Sequence, residues 1–469
     1  MKKVLRALIP VFFFITFLFQ TCCYGEVGLE HWRKVVENGF GDEKNDYAWS
    51  MASYRGKLFV GTLNLLGGAE IWSSFNGEPE SWERVYKSFV FLNSGIRCLY
   101  ADGDRALYAG TFNKFGAEIL RTTDGSAWTR VVRRGFGKWQ NDTIRCITRF
   151  GDYLYAGTGH NGAELYRSQD GFNWEYVNGD PSFTSTKVVD PMTGALITNN
   201  IMIGELAVFR NRLYAFTWTT DIGVLSRRFQ YRSIFQRFNE PSFPEFFSRT
   251  PGAFEVWRSP DGLLWEKVVG KDDAYGNGMG FSLHDGENMA NDVVTSVAVF
   301  NGHLYLGPEN ANGRTALWRT ANGTQWEKVL DFWMMGEPFN FYIWRMFPFQ
   351  NRLFLGTFNV GAVNIPGVTG GQVWVSESGE PGTFYKIIHN GFDGEFAWFS
   401  NMKIPKNYGI RSLAVHNNAL YAGTATMLSM PVLKIEGQQL KFTIAGNDVG
   451  CEVWRVDRLA LEEILSFCE

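Results

Sequence analysis

Short apolar runs recur along the chain, alternating in polarity and separated by Gly, Asn, Asp and Ser. One phrase returns seven times: FVGT (59–62), LYAGT (107–111), LYAGT (154–158), LYAFT (213–217), LYLGP (304–308), LFLGT (353–357) and LYAGT (420–424). The marker glycines Gly61, Gly110 and Gly157 are 49 and 47 residues apart, and Gly307 and Gly356 are 49 apart. Longer gaps elsewhere imply insertions. A second phrase follows each copy, such as AEIW (69–72), AELY (163–166) and CEVW (451–454), and a third precedes it, such as IRCITRF (144–150) and IRSLAVH (410–416). Each repeat therefore predicts four short antiparallel strands, A to D, with helical periodicity confined to the C-terminal tail. A four-strand unit with a period near fifty residues reads as one blade of a propeller, because a blade buries both faces only by packing against two neighbours.

These patterns predict an all-β fold, a seven-bladed β-propeller with four antiparallel strands per blade. Blades start near residues 45, 93, 141, 200, 291, 340 and 407, within a domain over 26–458 followed by a tail at 459–469. The seventh repeat lacks its final strand, and HWRKVV (31–36) matches the missing piece. That strand is expected to pair beside 451–456 and close the ring, leaving no open sheet edge.

The turn between strands C and D is nearly constant. Ser or Thr (Ser74, Thr122, Ser168, Ser259, Thr320, Ser376) precedes Asn76, Asp124, Asp170, Asp261, Asn322 or Ser378, and Gly follows, as at Gly125, Gly171 and Gly262. Short side-chain oxygens accept bonds from the turn's own backbone, and Gly takes the positive φ. A Trp or Phe follows (Trp82, Trp128, Trp174, Trp265, Trp326, Phe384) and is expected to pack between blades. The pattern S-x-D-G-x-x-W resembles the Asp-box, or bacterial neuraminidase repeat, of sialidases and related propellers, one residue shorter than the usual form. The resemblance implies a propeller turn and no particular activity, since Asp-boxes occur in enzymes and binding proteins alike. KIP (403–405) is the nearest phrase to the sialidase FRIP motif, and seven blades differ from the sialidase six, so the chain is not a typical sialidase.

Asn recurs three residues before strand A in all seven repeats (Asn45, Asn93, Asn141, Asn200, Asn291, Asn340, Asn407) and reads as a capping side chain. Strand order places the A–B and C–D turns on one face. The B–C and D–A connections, with insertions 178–199, 218–252, 271–290 and 388–406, lie on the other, where binding is expected. Near the channel, successive blades present Trp49, Arg97, Arg145, Gly204, Thr295, Trp344 and Arg411. Trp344, Arg411, Trp49, Arg97 and Arg145 form a candidate ligand-binding arc, suited to carboxylates and sugars, with room at Gly204 and Thr295. The competing expectation pairs these arginines with Glu70, Glu118, Glu164, Glu255 and Glu452 at the starts of strands C. Asn64, Asn113, His160, Asn310 and Asn359 open B–C loops, with turn roles expected and His160 standing alone. Glu205, Asp142, Asp292, Asp285, Glu287 and Glu309 are possible carboxylates, but no spacing singles out a catalytic pair, so catalytic residues are unassigned.

Composition narrows the function. With 45 Lys and Arg against 48 Asp and Glu, the net charge is -3, which argues against nucleic acid. Lys2, Lys3 and Arg6 precede an apolar run at 8–19, the order of a secretory signal peptide over 1–25, cleaved near Gly25. A lipid anchor at Cys22 fits less well, because Phe19 and Thr21 depart from the usual surroundings. Removing the signal leaves 42 basic and 48 acidic residues, a net of -6, with no transmembrane segment in the mature chain, which is expected to be secreted or periplasmic. Cys98 and Cys146 read as buried small residues, while Cys451 and Cys468 either bridge or stay free. No metal or cofactor is implied, as no His/Cys cluster exists. The leading reading is an exported binding or scaffold module acting through its long-loop face. Its ligand is unknown: an acidic glycan, or a protein partner at the Arg- and Phe-rich insertion 218–252. The alternative is a hydrolase or lyase of the sialidase-like propeller type acting on acidic sugars.

Overall fold

The computed structural model describes residues 29–466, apart from 91, 178–181, 190–194, 220–251, 282–290, 311–314, 360–368, 400–401, 437–438 and 446–448. The expected signal peptide at 1–25, most of insertion 218–252, Asp285, Glu287 and Cys468 lie outside the described residues. The described chain is almost all strand, and 28 strands join in one antiparallel pairing network. In the first repeat strands A to D are Tyr47–Tyr54, Lys57–Leu63, Glu70–Ser74 and Glu83–Lys87, each hydrogen-bonded to the next. The other A strands are Gly95–Asp102, Thr143–Phe150, Asn200–Phe209, Asn291–Phe300, Asn340–Phe349 and Gly409–His416.

Each strand B also touches the next repeat's strand A at one position. These links join Leu63 to Gly95, Phe112 to Thr143, Gly159 to Met202, Trp218 to Val293, Glu309 to Tyr342 and Phe358 to Gly409. Ala425 then pairs with Tyr47, so the sheet closes on itself. The outer edge closes too: Arg33–Val36 pairs with Val453–Asp457, as expected from the displaced N-terminal strand. A helix at Arg458–Ser466 follows, and its Leu461 is buried in one cluster with Trp32.

Two recurring contacts lock neighbouring repeats, and both explain residues that the repeat pattern marks. At the C–D turns, Asp124 Oδ1 accepts from the amides of Ser126 and Ala127 at 2.8 and 2.9 Å, and Asp170 and Asp261 do the same for the two equivalent amides. The following glycines have φ of +81°, +76° and +78° at Gly125, Gly171 and Gly262. Geometry alone is only half the reason for Gly. A Cβ on Gly171 would sit 1.9 Å from the Tyr108 hydroxyl, and one on Gly262 1.9 Å from that of Tyr155. The tyrosine of each LYxGT phrase thus lies over the turn of the next repeat. The turn tryptophans join the same seams: Trp265 is buried among residues of two adjacent repeats, and Trp82, Trp128, Trp174 and Trp326 pack on equivalent clusters.

The second contact was not anticipated. A Gly-Phe pair recurs in the D–A connections, and its Phe stacks on the strand C aromatic of the next repeat. Phe136 lies 3.7 Å from Tyr166, Phe281 4.4 Å from Trp318 and Phe392 4.8 Å from Trp454, centroid to centroid. The recurrent Asn holds the preceding Gly carbonyl: Asn45, Asn141, Asn291 and Asn407 donate to Gly39, Gly135, Gly280 and Gly391. The capping role is therefore observed.

Insertions carry hairpins of their own, at Lys187–Val189 with Leu196–Thr198 and at Phe396–Phe399 with Met402–Pro405. A third hairpin, Met430–Glu436 with Gln439–Ala445, occupies a B–C connection that the repeat spacing had not flagged. Cys98, Cys146 and Cys451 are free thiols.

Gly262→Ala places a methyl group against Tyr155, whereas Gly276, at φ +73°, has open space where its Cβ would be. Both variants carry the positive-φ penalty, but Gly262→Ala is expected to cost about 1–3 kcal/mol more, the usual range for overpacking. Equilibrium denaturation of the two variants measures the difference, and equal losses would remove the Tyr-over-Gly contact as a reason for the recurrence of Gly at this turn position.

Candidate functional site

The arc residues share one structural origin. In every strand A the register shifts by one residue against strand B, between Ala48 and Ser50, Ile96 and Cys98, Ile144 and Cys146, Ile203 and Glu205, Val294 and Ser296, Ile343 and Arg345, and Ile410 and Ser412. The extra residue is Trp49, Arg97, Arg145, Gly204, Thr295, Trp344 or Arg411 in turn. A bulge re-aims the side chain it carries. Here it brings Trp49, Arg97, Arg145, Trp344 and Arg411 to one axial cavity of about 50 Å³, together with Glu205 and Arg345.

The contacts within this cavity differ from both expectations. Arg97 lies over Trp49 at 4.4 Å and near Trp218 at 5.6 Å, Arg145 over Trp218 at 4.5 Å, and Arg411 over Trp344 at 4.9 Å. Arg145 donates to the Thr295 carbonyl at 2.7 Å and reaches Glu205 at 3.4 Å. The expected pairing of these arginines with the strand C glutamates is not found. Those carboxylates bind the recurrent Asn instead: Asn45 donates to Glu70, Asn93 to Glu118, Asn141 to Glu164, Asn200 to Glu255 and Asn407 to Glu452, all at 2.6–2.8 Å. The reason is position. Strand C starts lie in the outer half of each repeat, next to cations of strand D and the loops, such as Arg84 and Lys87 at Glu70 and Lys34 and Lys406 at Glu452. Burial alone would raise the Glu70 carboxyl, but bonds from Lys87, Asn45 and Trp72 outweigh it and hold it below its ordinary range.

The room expected at Gly204 is also filled. The indole of Trp218 lies where a Cβ on Gly204 would sit, 2.4 Å from its Nε1, and donates to the Val294 carbonyl. Gly95 and Gly409 accommodate the rings of Trp49 and Trp344 in the same way. Trp218, Arg345 and Glu205 therefore complete the site. Glu205 was only one of several carboxylates in the sequence reading, and Arg345 and Trp218 were absent from it. Their one signal is adjacency, since Glu205 and Arg345 directly follow the bulge residue.

Electrostatics in the cavity are dominated by burial. Arg145 and Arg411 are 5% and 6% exposed. Burial, with the neighbouring Arg145, lowers Arg411 to about 9, and burial with Arg145 and Arg411 lowers Arg97. Burial raises Glu205 against the pull of Arg145. An aromatic layer sits at the loop-face ends of the inner strands: Tyr47 and Tyr408 share a hydroxyl hydrogen bond, Trp344 lies 4.8 Å from Phe358, and Trp49 6.1 Å from Phe112.

His160 is not alone: its Nδ1 lies 2.5 Å from Asp142, whose other oxygen accepts from Lys114 at 2.8 Å. Asn64 and Asn113 accept from amides in their own loops, the turn role expected. Asp393, Glu395 and Glu452 converge, but Lys34 and Lys406 occupy the space among them at 2.6–3.0 Å.

No known protein family matches the sequence, and no curated protein does. Among solved structures, the chain is similar to YCF48 from Cyanidioschyzon merolae, with 10% identity, coverage of 91% of this chain and 99% of that one, and a TM-score of 0.46. It is also similar to an ulvan lyase of polysaccharide lyase family 25 bound to a GlcA(1-4)Rha3S saccharide, with 11% identity, coverage of 89% and 96%, and a TM-score of 0.45. A protein from Lactobacillus plantarum shows 11% identity, coverage of 73% and 85%, and a TM-score of 0.43.

Two buried carboxyls near the loop face set a pH dependence. Asp46, buried and bonded to Ser429, is pushed up to about 8, and burial pushes Glu309 up to about 7, opposed by Tyr342. Each holds its proton to a higher pH in the folded chain than in the unfolded chain, which loses it near pH 4. Their contribution to stability is thus fully present at about pH 4 and is lost as pH rises to about 8. Asp46→Asn is expected to flatten that decline in denaturation measured from pH 5 to 9. An unchanged slope would place Asp46 in its ordinary ionised form.

Proposed function

We propose that the repeats are the seven blades of a propeller, with turns that are a one-residue-shorter relative of the Asp-box. The chain is read as exported, with 1–25 as its signal peptide, and the mature domain as a binding or scaffold module working through its long-loop face. The observation that carries this is a run of apolar side chains in successive loop-face connections. Phe89 (82% exposed), Leu92, Phe115 and Trp139 stand out from the connections of the first two repeats, and Met334 (80% exposed) beside Trp333 from that of the fifth. Single exposed apolar residues are ordinary on any surface, but several on neighbouring loops of one face suit a protein partner. Exposed apolar residues on the opposite face, such as Phe75 and Phe172, belong to the recurring short turns.

A hydrolase or lyase of acidic sugars would need a sugar ring against the arc. The axial cavity of about 50 Å³ has room for only about three to five waters. The aromatic layer at the loop-face ends of the strands adds to the case against that reading.

Photo-crosslinking residues placed at Phe89, Trp139 and Phe172 test the module reading in the cell of origin. Discrete adducts are expected from Phe89 and Trp139 and not from Phe172. No adduct from either loop-face position, or turnover of an acidic polysaccharide by the purified protein, would overturn it.

A further inference from the structure

Cations at the axis, two of them buried and two partly buried, outnumber their partners. Arg97, Arg145, Arg345 and Arg411 line the cavity with one carboxylate, Glu205, so four positive groups against one negative leave a balance of three. Among the described residues the Arg145–Glu205 contact, at 3.4 Å, is the one ion pair within this lining. The Nε atoms of Arg97 and Arg145 are enclosed and have no acceptor. A buried charged donor without an acceptor is costly, and like charges close together add to the cost. The faces of Trp49, Trp218 and Trp344 offset part of it but offer no oxygen to a guanidinium. Every strand C glutamate under the loop face, by contrast, has at least one cation and an Asn amide placed for it.

We propose that the axial cavity is a binding site for one small oxyanion, a carboxylate or an inorganic sulfate- or phosphate-like group, held by Arg97, Arg145, Arg345 and Arg411. Guanidinium groups match such oxygens with paired N–H donors. The cavity's volume fits an anion of a few heavy atoms and excludes a sugar ring. Glu205 acts as the internal competitor, since it takes Arg145 and repels an incoming anion. The cavity extends past Met51, Cys98 and Leu99, away from the loop face, so this site and the loop-face surface stand or fall separately.

The test uses the full folded protein, dialysed into a low-salt zwitterionic buffer, titrated with sodium sulfate, phosphate, acetate and chloride at matched ionic strength. Calorimetry and tryptophan fluorescence report binding, because Trp49 and Trp344 line the site and Trp218 packs on Arg97 and Arg145. One saturable equivalent of an oxyanion is expected, with chloride weaker. Tighter binding of acetate assigns a carboxylate, and tighter binding of sulfate or phosphate an inorganic group. Glu205→Gln is expected to tighten binding about tenfold, and Arg345→Gln to weaken it about tenfold, the scale of one charge-assisted contact. In anion-free buffer Arg345→Gln should melt no lower than the parent, because it relieves repulsion. An anion that stays bound through dialysis would be released on denaturation and found by ion chromatography, which also supports the site. Absence of both released anion and saturable binding would overturn the proposal. So would unchanged affinity in Glu205→Gln, a variant that decides the matter even if Arg345→Gln does not fold.

Discussion

Buried charge is the constraint around which this protein is built. A carboxylate taken out of water must find donors, or it loses its charge. Glu70 meets this demand in full, with Asn45, Trp72, Arg84 and Lys87 as donors, and Glu452 does so with Asn407, Trp454, Lys34 and Lys406. The same carboxylate ties together the start of strand C, the connection before strand A and the cation of strand D. Where the sixth repeat has Gln372 instead, Asn340 still donates to it, and the negative charge moves to Glu337, which binds Lys386 and accepts from Gln372. The charge is relocated while the anchoring bond stays.

This anchoring sets how repeats meet. The Asn that holds the carboxylate also holds a Gly carbonyl, and the Phe after that Gly stacks across the seam onto the next strand C aromatic. On the opposite face, the strand B tyrosine lies over the next turn glycine. Each seam is thus pinned near both faces, with the apolar cluster between, and the N-terminal strand carries Trp32 into the last of them. Neighbour-to-neighbour pinning is what a ring of repeats requires, since no repeat can bury its faces alone.

The repeat, its strands and the closing N-terminal piece were legible because short alternating runs and turn residues are local signals. The arc was legible as a position, since one residue per strand A stands out. Its surroundings were not. The bulge puts Arg345 and Glu205 one step beyond the expected position, and period-2 counting loses phase at an inserted residue. Trp218 belongs to the repeat whose marker Gly is replaced by Phe216, so nothing in the pattern marked its indole for the space at Gly204. The recurrent Asn and the strand C Glu were both visible as separate periodicities. Their union escaped notice because the two are more than twenty residues apart in sequence, as in Asn45 and Glu70.

Satisfied carboxylates under the loop face and unsatisfied guanidinium groups at the axis make the central claim specific: the axis is completed by an anion. The most direct measurement is a crystal of the folded protein soaked in selenate, with the anomalous signal of selenium located in the difference map. The account predicts a peak at the axis within hydrogen-bond distance of the Arg97 and Arg145 guanidinium groups. Selenate on surface cations alone, with only water beside Arg97 and Arg145, would contradict it.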